Sequence, residues 1–240
     1  MQSPSKRNDG CTLVIMAKAP RSGMVKTRLT QRIPVAAVTE LYRCLLDDTV
    51  ALAHSLGSVE VAIMCPAADV AALTQVAHGA VRVAAQKGEG LAAGLTSVFA
   101  HFTAGAGGQQ RVVAFNSDSP HLPASVLASA FEALTDLDVV VGPTNDGGYY
   151  LVGAKAAHAS LFDGDDMGTQ TALEGLLARA RGLKLSIGFT DPFYDIDVEG
   201  DLTRLAAELR TAPNRAPRTA MWLKEWGQTV AELRTGMEDL

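Results

Sequence analysis

Four cations and a glycine are packed into one short stretch, Lys18-Ala19-Pro20-Arg21-Ser22-Gly23-Met24-Val25-Lys26-Thr27-Arg28. Lysine and arginine charges, joined by backbone N–H groups of a loop that glycine lets approach closely, can surround phosphate groups. A solvated surface turn accounts for the same residues equally well when they are taken alone. The stretch is not a P-loop, because Val25 stands where that motif needs a glycine before the lysine.

Two carboxylate sites supply what a phosphate-binding loop would need beside it. Asp118 lies in Asn116-Ser117-Asp118-Ser119-Pro120, directly after the apolar run Val112–Phe115. A carboxylate at a strand end can hold a divalent cation, although such residues more often cap a turn. Asp195 and Asp197 lie in Tyr194-Asp195-Ile196-Asp197. In extended chain they point to the same side, and Asp197 is also placed to cap a helix starting near Glu199. A divalent cation held by one or two carboxylates, with Lys and Arg stabilising the leaving phosphates, is the equipment of phosphoryl and nucleotidyl transfer.

The remaining candidates are weaker. Asn145-Asp146-Gly147-Gly148 separates two β-rich runs and reads as a hairpin turn or as a loop that a substrate can approach closely. Asp163–Thr169 is acidic, and capping of the following helix is favoured over metal binding. The five histidines show no metal-ligand spacing, His121 is expected in a surface turn, and no Gly-x-Ser-x-Gly elbow occurs.

The elements that must position these groups alternate. Strands are expected at 12–17, 59–64, 81–85, 112–115, 139–143, 149–153 and 183–189. Helices are expected at 35–56, 70–77, 91–102, 124–134, 170–181 and 199–210. Such alternation describes a doubly wound α/β sheet with helices on both faces, whose ligands sit beyond the carboxyl ends of the strands. Gly105–Gly108 reads as a flexible turn. Trp222, Trp226, Val230 and Leu233 fall at helical spacing within 219–233, a stripe that docks on the core or on a second copy, so a homodimer stays open. Residues 1–10 read as a loose tail, 11–212 as the catalytic domain, and 213–240 as a linker (213–218) and terminal helix.

Composition narrows the class further. The chain has 240 residues, 48% of them hydrophobic and 20% charged, and a net charge of −5. It can bury a sizeable core, and it lacks the general basic field that nucleic acid or anionic membrane would attract. Three scattered cysteines form no Cys-x-x-Cys pair, no stretch approaches a membrane span, and no convincing cleavage site follows the first apolar run. A cytoplasmic protein is expected.

Four of these segments together carry a resemblance. Met16–Leu29, Ser117-Asp118-Ser119-Pro120, Gly142–Leu151 and Tyr194-Asp195-Ile196-Asp197 resemble, in the same order, the motifs of the DUF2064 family, also called selenodomain-associated transferase 1. The likeness covers about residues 12 to 210. It implies the GT-A fold of nucleotide-diphospho-sugar transferases, a Rossmann-like α/β/α sandwich with a mostly parallel mixed sheet. It also implies kinship with phospholactate guanylyltransferase and molybdenum-cofactor nucleotidyltransferases. By that resemblance Ala17, Lys18, Pro20, Gly23, Lys26 and Arg28 would bind nucleotide phosphates, and Lys26, Arg21 and Asp118 would serve catalysis. Asp118 and Asp197, with Asp195, would hold Mg²⁺ or Mn²⁺, and Asn145, Asp146, Gly147 and Gly148 would line the acceptor or sugar side. Many members carry Gly-Asp-Leu-Gly-Glu-Arg after the third strand, whereas this chain reads Glu89-Gly90-Leu91-Ala92-Ala93-Gly94. The expected activity is metal-dependent nucleotidyl transfer from an NTP to a small phosphorylated acceptor. Glycosyl transfer from an NDP-sugar and a non-catalytic nucleotide-binding module are the alternatives.

Overall fold

The computed structural model describes residues 10–238 except 78–80, 105–109 and 159, and the side chains of 229–238 are outside the description. Most of the expected tail, the whole Gly105–Gly108 turn, and the Val230 and Leu233 side chains therefore lie outside the described residues. Seven strands form one sheet in the order β3-β2-β1-β4-β6-β5-β7. They are β1 (Cys11–Met16), β2 (Glu60–Cys65), β3 (Arg82–Ala85), β4 (Arg111–Asn116), β5 (Val139–Pro143), β6 (Tyr149–Ala154) and β7 (Ile187–Phe189). Only β6 runs against its neighbours β4 and β5; the other pairings are parallel. The result is the expected α/β architecture, a mostly parallel mixed sheet flanked by helices.

The helices are α1 (Val35–Ser55), α2 (Val70–Val76), α3 (Gly90–Phe102), α4 (Ala124–Ala133), α5 (Ala172–Gly182), α6 (Glu199–Thr211) and α7 (Pro217–Glu238). Strand alternation divides the core. Leu13 and Ile15 of β1 pack with Leu46 of α1, Leu73 of α2 and Leu127 of α4. Val14 faces the other layer with Val98 and Phe99 of α3 and Leu176 of α5. These are continuous apolar strands because both faces are covered. The strand order runs outward in opposite directions from β1, to β2 on one side and β4 on the other, so a crevice opens at their carboxyl ends. Both the basic loop after β1 and the Asp118 turn after β4 emerge there.

Several local expectations are corrected. The strand expected at 183–189 begins only at Ile187. Residues before it complete the end of α5, where Lys184 takes a left-handed φ of 58°. Lys184 N–H donates to Arg181 O and Leu185 N–H to Ala180 O, a Schellman termination that uses the chain before extension resumes. The acidic turn does not cap α5. Asp166 instead accepts two hydrogen bonds from the Arg179 guanidinium, at 2.8 and 3.0 Å, and Thr171 occupies the N-cap.

The segment read as a linker contains a 3₁₀ turn, Pro213–Arg215, and the start of α7 at Pro217. Proline fits there because the first helical N–H has no partner within the helix. The next two N–H groups, of Arg218 and Thr219, donate at 3.2 and 2.8 Å to buried Asp48 of α1, which also accepts the Thr219 hydroxyl. A carboxylate at a helix N-terminus answers both the orphan donors and the dipole. Trp222 is buried in the cluster of α1 and α6 side chains and stacks on Trp226 at 5.7 Å. Replacing Asp48 by alanine should strand these donors. Urea unfolding followed by tryptophan fluorescence should show a loss of about 2–3 kcal/mol.

Candidate active site

A cleft of about 950 Å³ lies over the carboxyl ends of β1, β2 and β4, and its walls include Ala17, Lys18, Lys26, Arg28, Asp118 and Asp197. Six of the residues singled out in the sequence, from three distant segments, therefore share one cavity. Asp195 lies beside them: one carboxylate oxygen from each of Asp118, Asp195 and Asp197 falls within 4.8 Å of the others. An all-carboxylate set of this kind suits a hard divalent cation such as Mg²⁺ or Mn²⁺.

The centre of the cluster is Lys26. Its Nζ lies 2.8 Å from Asp118 Oδ2 and 2.9 Å from Asp197 Oδ1, and its side chain is 5% exposed. The backbone reaches this position with φ of 48°, a left-handed conformation that a lysine adopts only under local constraint. Burial works against the ammonium, but the Asp118 and Asp197 charges and hydrogen bonds outweigh it and raise its pKa. Arg28 adds a longer contact to Asp197, at 3.3 Å. Asp195 makes no ion pair of its own among the described residues. Burial, followed by repulsion from Asp197, pushes its carboxyl up to about 6, with Lys26 pulling the other way.

Backbone and side-chain bonds hold the loops together. Ile196 N–H donates to Asp118 O at 3.2 Å, and the Ser119 hydroxyl donates to Tyr194 O at 3.0 Å, which locks the two carboxylate segments side by side. Tyr42 of α1 accepts the Lys18 N–H at 3.1 Å and lies 3.1 Å from Ser117 Oγ. Ser117 in turn donates to Asp118 Oδ1 at 3.3 Å, so Tyr42 is the donor to Ser117 in this relay. Burial, with the Asp118 charge, pushes the Tyr42 phenol up to about 12 and keeps it a donor. Asp69, just before α2, accepts the Ala19 N–H at 2.9 Å.

Other expected residues are placed differently. Arg21 is paired with Asp69 at 2.9 Å and donates to Ala68 O at 2.7 Å, so its charge pins the loop to the β2–α2 connection. It does not line the cleft, nor do Pro20 and Gly23. Asn145–Gly148 form the β5–β6 turn, outside the cleft lining. Asp146 accepts hydrogen bonds from the Thr144 hydroxyl at 2.5 Å and the Gly148 N–H at 3.2 Å. Gly147 has φ of 89°, and a Cβ there would strike Gln170 O, so its requirement is packing against the segment before α5. Asp197 does not cap α6: Val198 is the N-cap, and Asp201 reaches back to the Asp197 and Val198 N–H groups at 2.9 and 2.8 Å. That leaves the Asp197 carboxylate to the cleft.

Sequence reading missed Tyr42, Ser117 and Asp69. Tyr42 falls at an apolar-face position of α1 and reads there as core. Asp69 reads as a helix start. Glu89, Gly90 and Leu91 line the cleft, whereas Ala92 and Ala93 belong to a separate hollow beside Phe162. Part of the departure from the usual family pattern therefore falls outside the cleft.

With the geometry in place, comparison with known proteins places the chain. The model of the family described as uncharacterized protein conserved in bacteria (DUF2064) matches residues 49–169, and the chain belongs to that family. Among solved structures, it is similar to a protein from Desulfovibrio desulfuricans G20 provisionally assigned as a nucleotide-diphospho-sugar transferase. The TM-score is 0.82 at 24% identity, over 93% of this chain and 98% of that one. A 4-diphosphocytidyl-2C-methyl-D-erythritol synthase from Anaerococcus prevotii superposes with a TM-score of 0.55 at 11% identity, covering 85% of this chain and 98% of the other. A nucleotidyl transferase from Methanothermobacter thermautotrophicus gives 0.55 at 19% identity, covering 84% and 99%. These likenesses establish the nucleotide-diphospho-sugar transferase fold. No curated protein sequence matches the chain. Among the described residues no helix is long and apolar enough to cross a membrane.

His121 is a further correction. It is fully buried rather than at the surface, packed against the rings of Phe193 and Tyr194 at 4.8 and 4.7 Å. Neither ring nitrogen has a hydrogen-bond partner, and the nearest carboxylate oxygen, of Glu208, is 4.0 Å away. Burial, then the Arg204 and Arg215 charges, lower its pKa to about 3. The unfolded chain, with an ordinary imidazole, binds this proton first. The stability that the neutral ring permits is therefore whole above about pH 6.5 and is lost as pH falls toward 3. Unfolding free energies measured across that window should carry a component of about 1.4 kcal/mol per pH unit from this residue. The component should be missing from His121→Leu.

Proposed function

We propose that this protein is a metal-dependent nucleotidyltransferase that transfers the nucleoside monophosphate of an NTP to a small phosphorylated acceptor. One observation carries the reading: at the switch point of the sheet, a basic loop and three clustered carboxylates meet in one cleft, with Lys26 bridging Asp118 and Asp197. The likeness in fold to a nucleotidyl transferase and to a 4-diphosphocytidyl-2C-methyl-D-erythritol synthase supports it.

In this reading Asp118 and Asp197, with Asp195 beside them, hold Mg²⁺ or Mn²⁺. Such an ion, when bound, would supply charge neutralisation to the phosphate oxygens. Lys18, Lys26 and Arg28 take the triphosphate, helped by the backbone of the Ala17–Arg28 loop. Tyr42 and Asp69 fix that loop from behind, and Arg21 secures its outer edge. An oxygen of the acceptor phosphate forms a bond to the α-phosphorus. The bond from that phosphorus to the bridging oxygen of the β-phosphate breaks, and pyrophosphate departs toward the cations. Placing those cations in advance stabilises the charge that develops on the leaving group. Asp146, whose carboxyl is held low chiefly by the Thr144 hydroxyl, stiffens the Asn145–Gly148 turn, which stands outside the cleft lining.

Sugar transfer from an NDP-sugar is the second reading, favoured by the description of the Desulfovibrio structure. In that case a nucleoside diphosphate leaves instead of pyrophosphate. The purified protein, supplied with Mg²⁺, each NTP and a panel of sugar phosphates and other phosphorylated acceptors, should release pyrophosphate. Release of NDP from NDP-sugars alone would select the second reading, and nucleotide binding without turnover across the panel would defeat both. Asp118→Asn should lower turnover at least ~100-fold, comparable to the loss of a major electrostatic contributor, while circular dichroism remains unchanged.

A further inference from the structure

Lys26 stands in the place that a divalent cation would take. Its Nζ is 2.8 Å from Asp118 Oδ2 and 2.9 Å from Asp197 Oδ1, the two carboxylates best exposed to the cleft. A magnesium ion sits about 2.0–2.1 Å from its oxygen ligands. An ion bonded to these same two oxygens would take the lone pairs that the ammonium now holds. The two cations compete for one pair of oxygens.

Displacing the lysine is also costly, because its side chain is almost fully buried. A charge withdrawn from its partners inside protein loses far more than a surface pair would. The charge needs an anion to move to. Its two ion-pair partners, Asp118 and Asp197, are the carboxylates the metal would claim. The side chain lies on the wall of the same cleft as Lys18 and Arg28, where a polyphosphate would fit. The backbone at Lys26 is left-handed (φ 48°) where the side chain takes this bridging position.

We propose that Lys26 is an exchangeable cation that makes metal binding conditional on polyphosphate binding. Without nucleotide, the ammonium neutralises the carboxylates and keeps free divalent cations out. A polyphosphate draws the ammonium to its own oxygens and frees Asp118 and Asp197 for the ion. Metal and polyphosphate then enter as one event, and by linkage each tightens the other to the same degree. This rests on the metal-site reading above and adds an order of assembly to it.

The test measures Mn²⁺ binding by its electron paramagnetic resonance signal, without nucleotide, for the wild type, Lys26→Met and Lys26→Arg. Thermal melts verify that each is folded. Wild type and Lys26→Arg should bind Mn²⁺ weakly, and Lys26→Met at least tenfold more tightly, because its carboxylates are no longer balanced. Equal Mn²⁺ affinity in wild type and Lys26→Met would overturn the exchange while leaving the metal site standing. Failure of Lys26→Met to bind Mn²⁺ at all would overturn both. Should Lys26→Met fail to fold, the wild type decides alone. Its Mn²⁺ affinity, corrected for Mn²⁺ held by the free phosphate, should rise at least tenfold with saturating inorganic tripolyphosphate. An unchanged affinity would overturn the proposal.

Discussion

Three carboxylates gathered within 4.8 Å at the end of a sheet cannot stand without positive charge. Like charges at that spacing, partly removed from water, repel strongly enough to lift one of them toward neutrality. Asp195 shows that lift, to which burial contributes most and repulsion from Asp197 next. Lys26 supplies the counter-charge, and much of the surrounding structure serves to deliver it. The loop after β1 must leave the sheet, turn at Gly23 and return with its lysine aimed inward. Asp69 and Arg21 brace its outward leg, and Tyr42 ties its beginning to the turn that carries Asp118. The Ser119–Tyr194 and Asp118–Ile196 bonds then keep the second carboxylate segment in register with the first.

The fold was legible because its signals are periodic. Continuous apolar strands such as Thr12–Met16 and Val112–Phe115 announce a sheet covered on both faces, and the stripe Val38, Leu41, Leu45 announces α1. Departures came where a local interaction replaced the periodic one. Lys184 adopts a left-handed turn that shortens β7, a conformation that the composition of Leu183–Phe189 does not advertise. Pro213 and Pro217 resemble a linker in sequence, yet the second opens a helix whose first donors are answered by a carboxylate far away in the chain.

The site was legible in part for the same reason. Motifs local in sequence, Lys18–Arg28, Asp118 and Asp195–Asp197, announce themselves through residue type. Relationships between distant residues do not. Nothing in the order of amino acids says that Arg21 turns to Asp69 while Lys26 turns inward, since both are cations in the same loop. His121 was misjudged because a polar residue after Ser-Pro reads as exposed, whereas the rings of Phe193 and Tyr194 fold over it.

Helix α1 has an additional meaning. Tyr42 and Asp48 lie six residues apart on one rigid rod, the first bonded to the loops over the cleft and the second to the start of the terminal helix. Through this one helix, the loops over the cleft and the first turn of the terminal helix are tied to a single element.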